Sequence, residues 1–102
     1  MAEVVVMKPR RIQRRRAKGW QMPPNTVYVG RGSRWGNPFV IKLCGSREEA
    51  LVRYRRLMTF GMPWRIAEAR EELRGKNLAC WCRLDTPCHA DILLELANRR
   101  VL

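Results

Sequence analysis

The stretch from Asn77 to Asn98, N-L-A-C-W-C-R-L-D-T-P-C-H-A-D-I-L-L-E-L-A-N, decides the fold and carries three of the four cysteines and the only histidine. Leu78 to Cys82 is a short apolar run after the turn signal Gly75-Lys76, the pattern of a strand buried on both faces. The period then changes. Thr86-Pro87 reads as a helix start, with Thr86 as N-cap and Pro87 at the first helical position, where a missing N–H costs nothing. Ile92, Leu93 and Leu96 follow on one apolar face. Cys88 and His89 fall in the first turn, where free backbone N–H groups and the helix dipole favour a thiolate or a bound anion. The strand end and the helix start are therefore expected to meet at one sulfur-rich crevice, the place where open α/β sheets bind ligands.

Working outward, 102 residues make a single domain with a modest core. A formal net charge of +12 points to polyanionic partners, either nucleic acid or phosphate-bearing small molecules, and is silent on fold. Half of that excess lies in residues 1–18, so the body is basic without them. No apolar run approaches the roughly 18 residues of a membrane span, and Val4 to Met7 is too short for a signal-peptide core. The expected location is the cytoplasm. There four cysteines are reduced by default, which favours metal or thiol chemistry over a disulfide framework.

Residues 1–24 read as a basic arm and connector, and residues 25–102 as the α/β domain. Glu3 to Met7 is a short strand candidate, the tract from Lys8 to Lys18 is a solvated or phosphate-contacting arm, and Trp20 packs the arm on the body. Thr26 to Val29 and Phe39 to Lys42 have strand composition. Ser46 with Glu49 is a capping box that opens a helix to about Thr59, and its arginines read as a solvated face. Pro63 starts a second helix, through Ile66, Ala69 and Leu73, that stops at Gly75, with Trp64 as a core contact. The expected fold is α/β: a small three- or four-stranded mixed sheet with helices packed on it.

The loop Gly30-Arg31-Gly32-Ser33-Arg34-Trp35-Gly36-Asn37-Pro38 is costly to order without a purpose. On a ligand-binding reading Arg31 and Arg34 hold phosphate, Trp35 stacks on a base or supports the loop, and Gly36 and Asn37 shape it. On the other reading it is a wide hairpin loop plugged by Trp35.

Arg31, Trp35-Gly36-Asn37-Pro38-Phe39, Gly75-Lys76, Cys80-Trp81-Cys82 and Cys88-His89-Ala90-Asp91 together resemble the bacterial and phage family called domain of unknown function 4326. The likeness covers Asn25 to Asn98. It implies a small intracellular α/β protein, and no established activity comes with it.

Three readings of the cysteine site stay open. Cys80, Cys82, Cys88 and His89 offer a Cys3His set for zinc, with Cys44 in reserve. Two residues of extended strand part Cys80 and Cys82 by about 7 Å, which works against convergence on one ion. Alternatively Cys88, His89 and Cys82 act chemically on a bound ligand, Cys88 as a low-pKa thiolate and His89 as acid, base or anion donor. On the third reading the cysteines only pack the core. The preferred function is binding of a nucleotide or related phosphate compound at this junction, with nucleic-acid binding or a zinc-stabilised interaction module as the alternatives.

Overall fold

The computed structural model describes residues 8–99. Three short strands, β1 (Arg11–Gln13), β2 (Thr26–Tyr28) and β3 (Asn77–Cys80), form one sheet in the order β1-β3-β2. Both neighbours run parallel to β3, in the registers Ile12 opposite Ala79 and Val27 opposite Leu78. The described sheet is therefore wholly parallel, where a mixed one was expected. The apolar run explains the central place of β3: Leu78, Ala79 and Cys80 are all buried.

The basic tract is not only an arm. Its middle forms β1, because Ile12 gives it one apolar position and its backbone pairs with β3. The Leu78 N–H donates to the Arg10 carbonyl (3.1 Å) and the Arg14 N–H to the Cys80 carbonyl (2.8 Å). Arg11, on this strand, has a side chain only 7% exposed. Its guanidinium meets Asp91 at 3.2 Å and donates to the carbonyls of Arg83 (3.0 Å) and Leu84 (2.8 Å). The candidate strand Glu3 to Met7 lies outside the described residues. Trp20 is half-buried in the connector.

Phe39 to Lys42 is not a strand. Asn37 turns the chain by accepting the Phe39 N–H (2.9 Å), and a short helix, α1 (Ile41–Cys44), follows and is closed by Gly45 at φ 95°. The capping box is as expected: the Ser46 hydroxyl accepts from the Glu49 N–H, opening α2 (Arg47–Arg56), which runs into a π turn at Leu57–Gly61. The helix expected from Pro63 is α3 (Trp64–Leu73), but Trp64 is 57% exposed and makes no core contact of the kind anticipated. It stands on the first turn, off the line of Ile66, Ala69 and Leu73 that faces inward.

The closing helix, α4 (His89–Asn98), starts two residues later than the sequence suggests, with Cys88 as N-cap. Thr86 is used elsewhere: its N–H (3.1 Å) and hydroxyl (2.9 Å) both donate to the Arg83 carbonyl, closing the preceding loop. Asp91 takes over the cap, its carboxylate accepting the Cys88 N–H at 3.0 Å. Ile92, Leu93 and Leu96 are buried against α3 and β3, as their spacing predicts. No helix among the described residues is long and apolar enough to cross a membrane.

Arg11 ties β1 to the loop before α4 through three bonds from its guanidinium, and Arg15 is exposed. In urea unfolding, Arg11→Ala is expected to lower stability by about 2–4 kcal/mol. Arg15→Ala should stay within about 0.5 kcal/mol. Equal effects of the two changes would show that β1 is not bound through Arg11.

Candidate functional site

β3 ends at Cys80, and the chain bends at Trp81 and Cys82 before returning to Cys88. Because Cys82 lies past the strand, the extended-chain separation does not hold. The sulfurs of Cys80, Cys82 and Cys88 lie within 4.8 Å of one another. The Cys80 and Cys88 sulfurs are 3.3 Å apart, and both residues are almost fully buried.

His89, the first residue of α4, turns its ring toward the Cys88 sulfur. Its Nε2 sits 2.6 Å from the Val29 carbonyl, which can only accept, so Nε2 carries a proton. Nδ1 then faces the Cys88 sulfur at 3.5 Å. Tyr54 packs edge-on against the imidazole at 5.4 Å. Adjacent residues on a regular helix diverge by roughly 100°, but Cys88 is the extended N-cap, which lets it share a site with His89.

These neighbours set the ionisation of the sulfurs. Cys88 is held well below the usual thiol range, chiefly by a hydrogen bond from Cys80, helped by His89 and the Ala90 N–H and opposed by burial. Cys80 is pushed up in return, by that hydrogen bond to Cys88, by burial and by the Cys88 charge. Burial and Cys88 raise Cys82, against the pull of Arg47. For His89, burial favours the neutral ring, but Cys88 and the Val29 carbonyl outweigh it and the pKa rises. The ionised form of Cys88 and the protonated form of His89 favour each other, with Cys80 donating to the Cys88 sulfur.

A cavity of about 320 Å³ opens over this cluster at the C-terminal ends of β2 and β3. Cys80, Cys82, Cys88 and His89 line its floor, Phe39, Ile41 and Leu51 give an apolar wall, and Arg31, Asn37 and Arg47 supply polar groups. The size suits a small organic ligand. Arg31 is exposed, and its guanidinium makes no hydrogen bond or ion pair among the described residues. Arg47 is half-buried, donating to the Pro87 carbonyl (3.2 Å) and standing 3.9 Å from the Cys82 sulfur.

The loop residues divide. Arg31 and Asn37 reach the cavity, and the Asn37 amide also donates to the Ala50 carbonyl (3.3 Å), holding the loop to α2. Trp35 is 5% exposed, with the Arg34 guanidinium 4.7 Å and the Arg65 guanidinium 5.6 Å from its ring centre and its carbonyl accepting from Tyr54 at 2.7 Å. It plugs the core and offers no open face for a base. Arg34 pairs with Glu72 and Glu68 and, with Gly36, lines a separate depression. Gly36 is required by space: a Cβ there would lie 2.9 Å from the Gly30 carbonyl oxygen. Cys44 stands apart, near Arg53 (3.6 Å).

Sequence reasoning missed Arg47, which the pattern assigned to a solvated face. The available signal was its place directly after the Ser46 cap, where a helix start can point into a cleft. It also missed a row of stacked groups at the strand ends: Arg14 lies 4.7 Å from the Tyr28 ring and 4.8 Å from the Trp81 ring, and Arg16 lies 5.1 Å from Trp81.

Fold and site together define a small parallel α/β protein with a basic, thiol-floored cavity at its strand ends. The chain belongs to the family described as Domain of unknown function (DUF4326), which matches residues 12–99. It is 39% identical over 75 residues to an uncharacterized 12.4 kDa protein of Enterobacteria phage T4, covering 72% of this chain and 68% of that one. It is 30% identical over 87 residues to an uncharacterized protein of Acanthamoeba polyphaga mimivirus, covering 76% of this chain and 57% of that longer one. No solved structure matches.

The Val29 carbonyl fixes the histidine tautomer. Nitrogen-15 NMR of the reduced protein is expected to find a proton on Nε2 of His89 at every pH at which the fold persists. A ring protonated on Nδ1 alone would contradict this geometry.

Proposed function

We propose that the protein binds a phosphate-bearing small molecule of the nucleotide class in the cavity above Cys88. The observation carrying this is the meeting of Arg31 and Arg47 with Cys82, Cys88 and His89 on one cavity at the C-terminal ends of parallel strands. Parallel α/β sheets bind ligands at that edge, and guanidinium forks suit phosphate. On this reading Arg31 and Arg47 hold the phosphate, Phe39 and Leu51 take the apolar part, and the thiolate–imidazole pair faces the rest of the ligand. Four unpaired cysteines fit a reducing, cytoplasmic setting.

Trp81, 41% exposed beside Arg14 and Arg16, favours a second reading, in which the same edge receives single-stranded nucleic acid. The two are separated by size and salt. A nucleotide site saturates with mononucleotides, whereas an extended surface needs an oligonucleotide and loses affinity steeply as salt rises.

Calorimetric titration with nucleoside mono-, di- and triphosphates tests the first reading. Saturable binding to the wild type is expected, weakened at least about tenfold by Arg31→Ala or Arg47→Ala, the worth of one charge-assisted bond. Arg34→Ala should change it less than about twofold, because Arg34 is committed to Glu72. No binding across the panel, or equal loss in the Arg34 variant, rejects the assignment.

A further inference from the structure

The three clustered sulfurs do more than pack. In a tetrahedral thiolate site with Zn–S near 2.3 Å, neighbouring sulfurs stand about 3.8 Å apart. Here they lie within 4.8 Å of one another, and the Cys80–Cys88 pair is at 3.3 Å. These spacings differ from the metal geometry by about 1 Å or less. The ligands come from three places, the end of β3, the bend after it and the N-cap of α4, and backbone hydrogen bonds hold the first and the last.

The surroundings supply what such a site needs. Three thiolates around a divalent cation leave one negative charge. The Arg47 guanidinium, 3.9 Å from the Cys82 sulfur, and the N-terminal end of α4 offset it. His89 is oriented by the Val29 carbonyl behind it and reaches the Cys88 sulfur with Nδ1. Such a tethered imidazole is a familiar outer partner of a metal-bound group. The sulfurs line the cavity floor, so the side away from the core faces the cavity.

We infer that Cys80, Cys82 and Cys88 hold a thiophilic divalent cation of the zinc class, with the fourth coordination position open to the cavity. The site is three-cysteine and not Cys3His, because only the sulfurs share one centre. A water or a donor atom of the bound molecule takes the fourth position, as in zinc sites that keep an open place. Coordination ionises the thiols, so metal uptake releases protons.

Cobalt(II) titration of the reduced, chelator-treated full-length protein tests this. Thiolate-to-cobalt charge-transfer absorption is expected, saturating at one equivalent and displaced by zinc. Cys82→Ser should abolish it, and Cys44→Ser should leave it unchanged. His89→Gln should weaken uptake by the roughly 10- to 100-fold typical of an outer partner. Cys82 is only half-buried, so its serine variant keeps the core and circular dichroism verifies its fold. Absence of the absorption in wild type, or its persistence in Cys82→Ser, overturns the assignment. Arg31→Ala, expected to lose nucleotide binding, retains the cobalt signal, so failure of either reading is distinguishable from failure of the other.

Discussion

The pairing of β3 on both edges governs the rest of the structure. The Arg14 N–H bonds the Cys80 carbonyl on one side and the Val29 N–H bonds the Ala79 carbonyl on the other. With both edges taken and both faces covered, the strand end cannot shift, and it places Cys80 under the start of α4. Buried backbone groups are costly to leave unpaired, so the register that satisfies them also fixes the sulfurs. The Val29 carbonyl extends the constraint to the other half of the site by holding the His89 ring.

Charge does structural work beside whatever it does for ligands. Arg11 crosses from β1 to satisfy two loop carbonyls and Asp91, which in turn caps α4. The loop carrying Cys82 to Cys88 is therefore held from the basic segment. Arg34 and Arg65 both lie over the Trp35 ring, so part of the positive excess is spent on the core boundary. Arg31 remains open to the cavity, and Arg14 and Arg16 cover the aromatics beside it.

How far the sequence could be read depended on how local the cause was. The Ser46 cap, the Pro63 start and the face of Ile92, Leu93 and Leu96 are set by period and capping chemistry and are seen, and the buried run expected from Leu78 to Cys82 is seen as far as Cys80, with Trp81 exposed beyond it. β1 was hidden, because three residues with one apolar side chain become a strand only when a partner edge exists. The shift of the cap from Thr86 to Cys88 has the same character: Thr86 can cap a helix or close a turn, and the Arg83 carbonyl decides. At the site, the crowding of Cys80, Cys82, Cys88 and His89 was legible from spacing, and the chain bend that converges the sulfurs was not. Arg47 and Arg34 carry equal charge in sequence; only the tertiary positions of Glu72 and Pro87 send them to different places.

The central claim is that a strand end, a bend and a helix cap bring three sulfurs to one point beneath the cavity. Arsenite tests it directly, because trivalent arsenic is bound most tightly where three thiolates share one centre. Intact mass of the reduced protein should show a single bound arsenic. Alkylation mapping should then find Cys44 modified, with Cys80, Cys82 and Cys88 protected together. Alkylation of Cys82 at its arsenite-free rate, or no bound arsenic, would contradict the account.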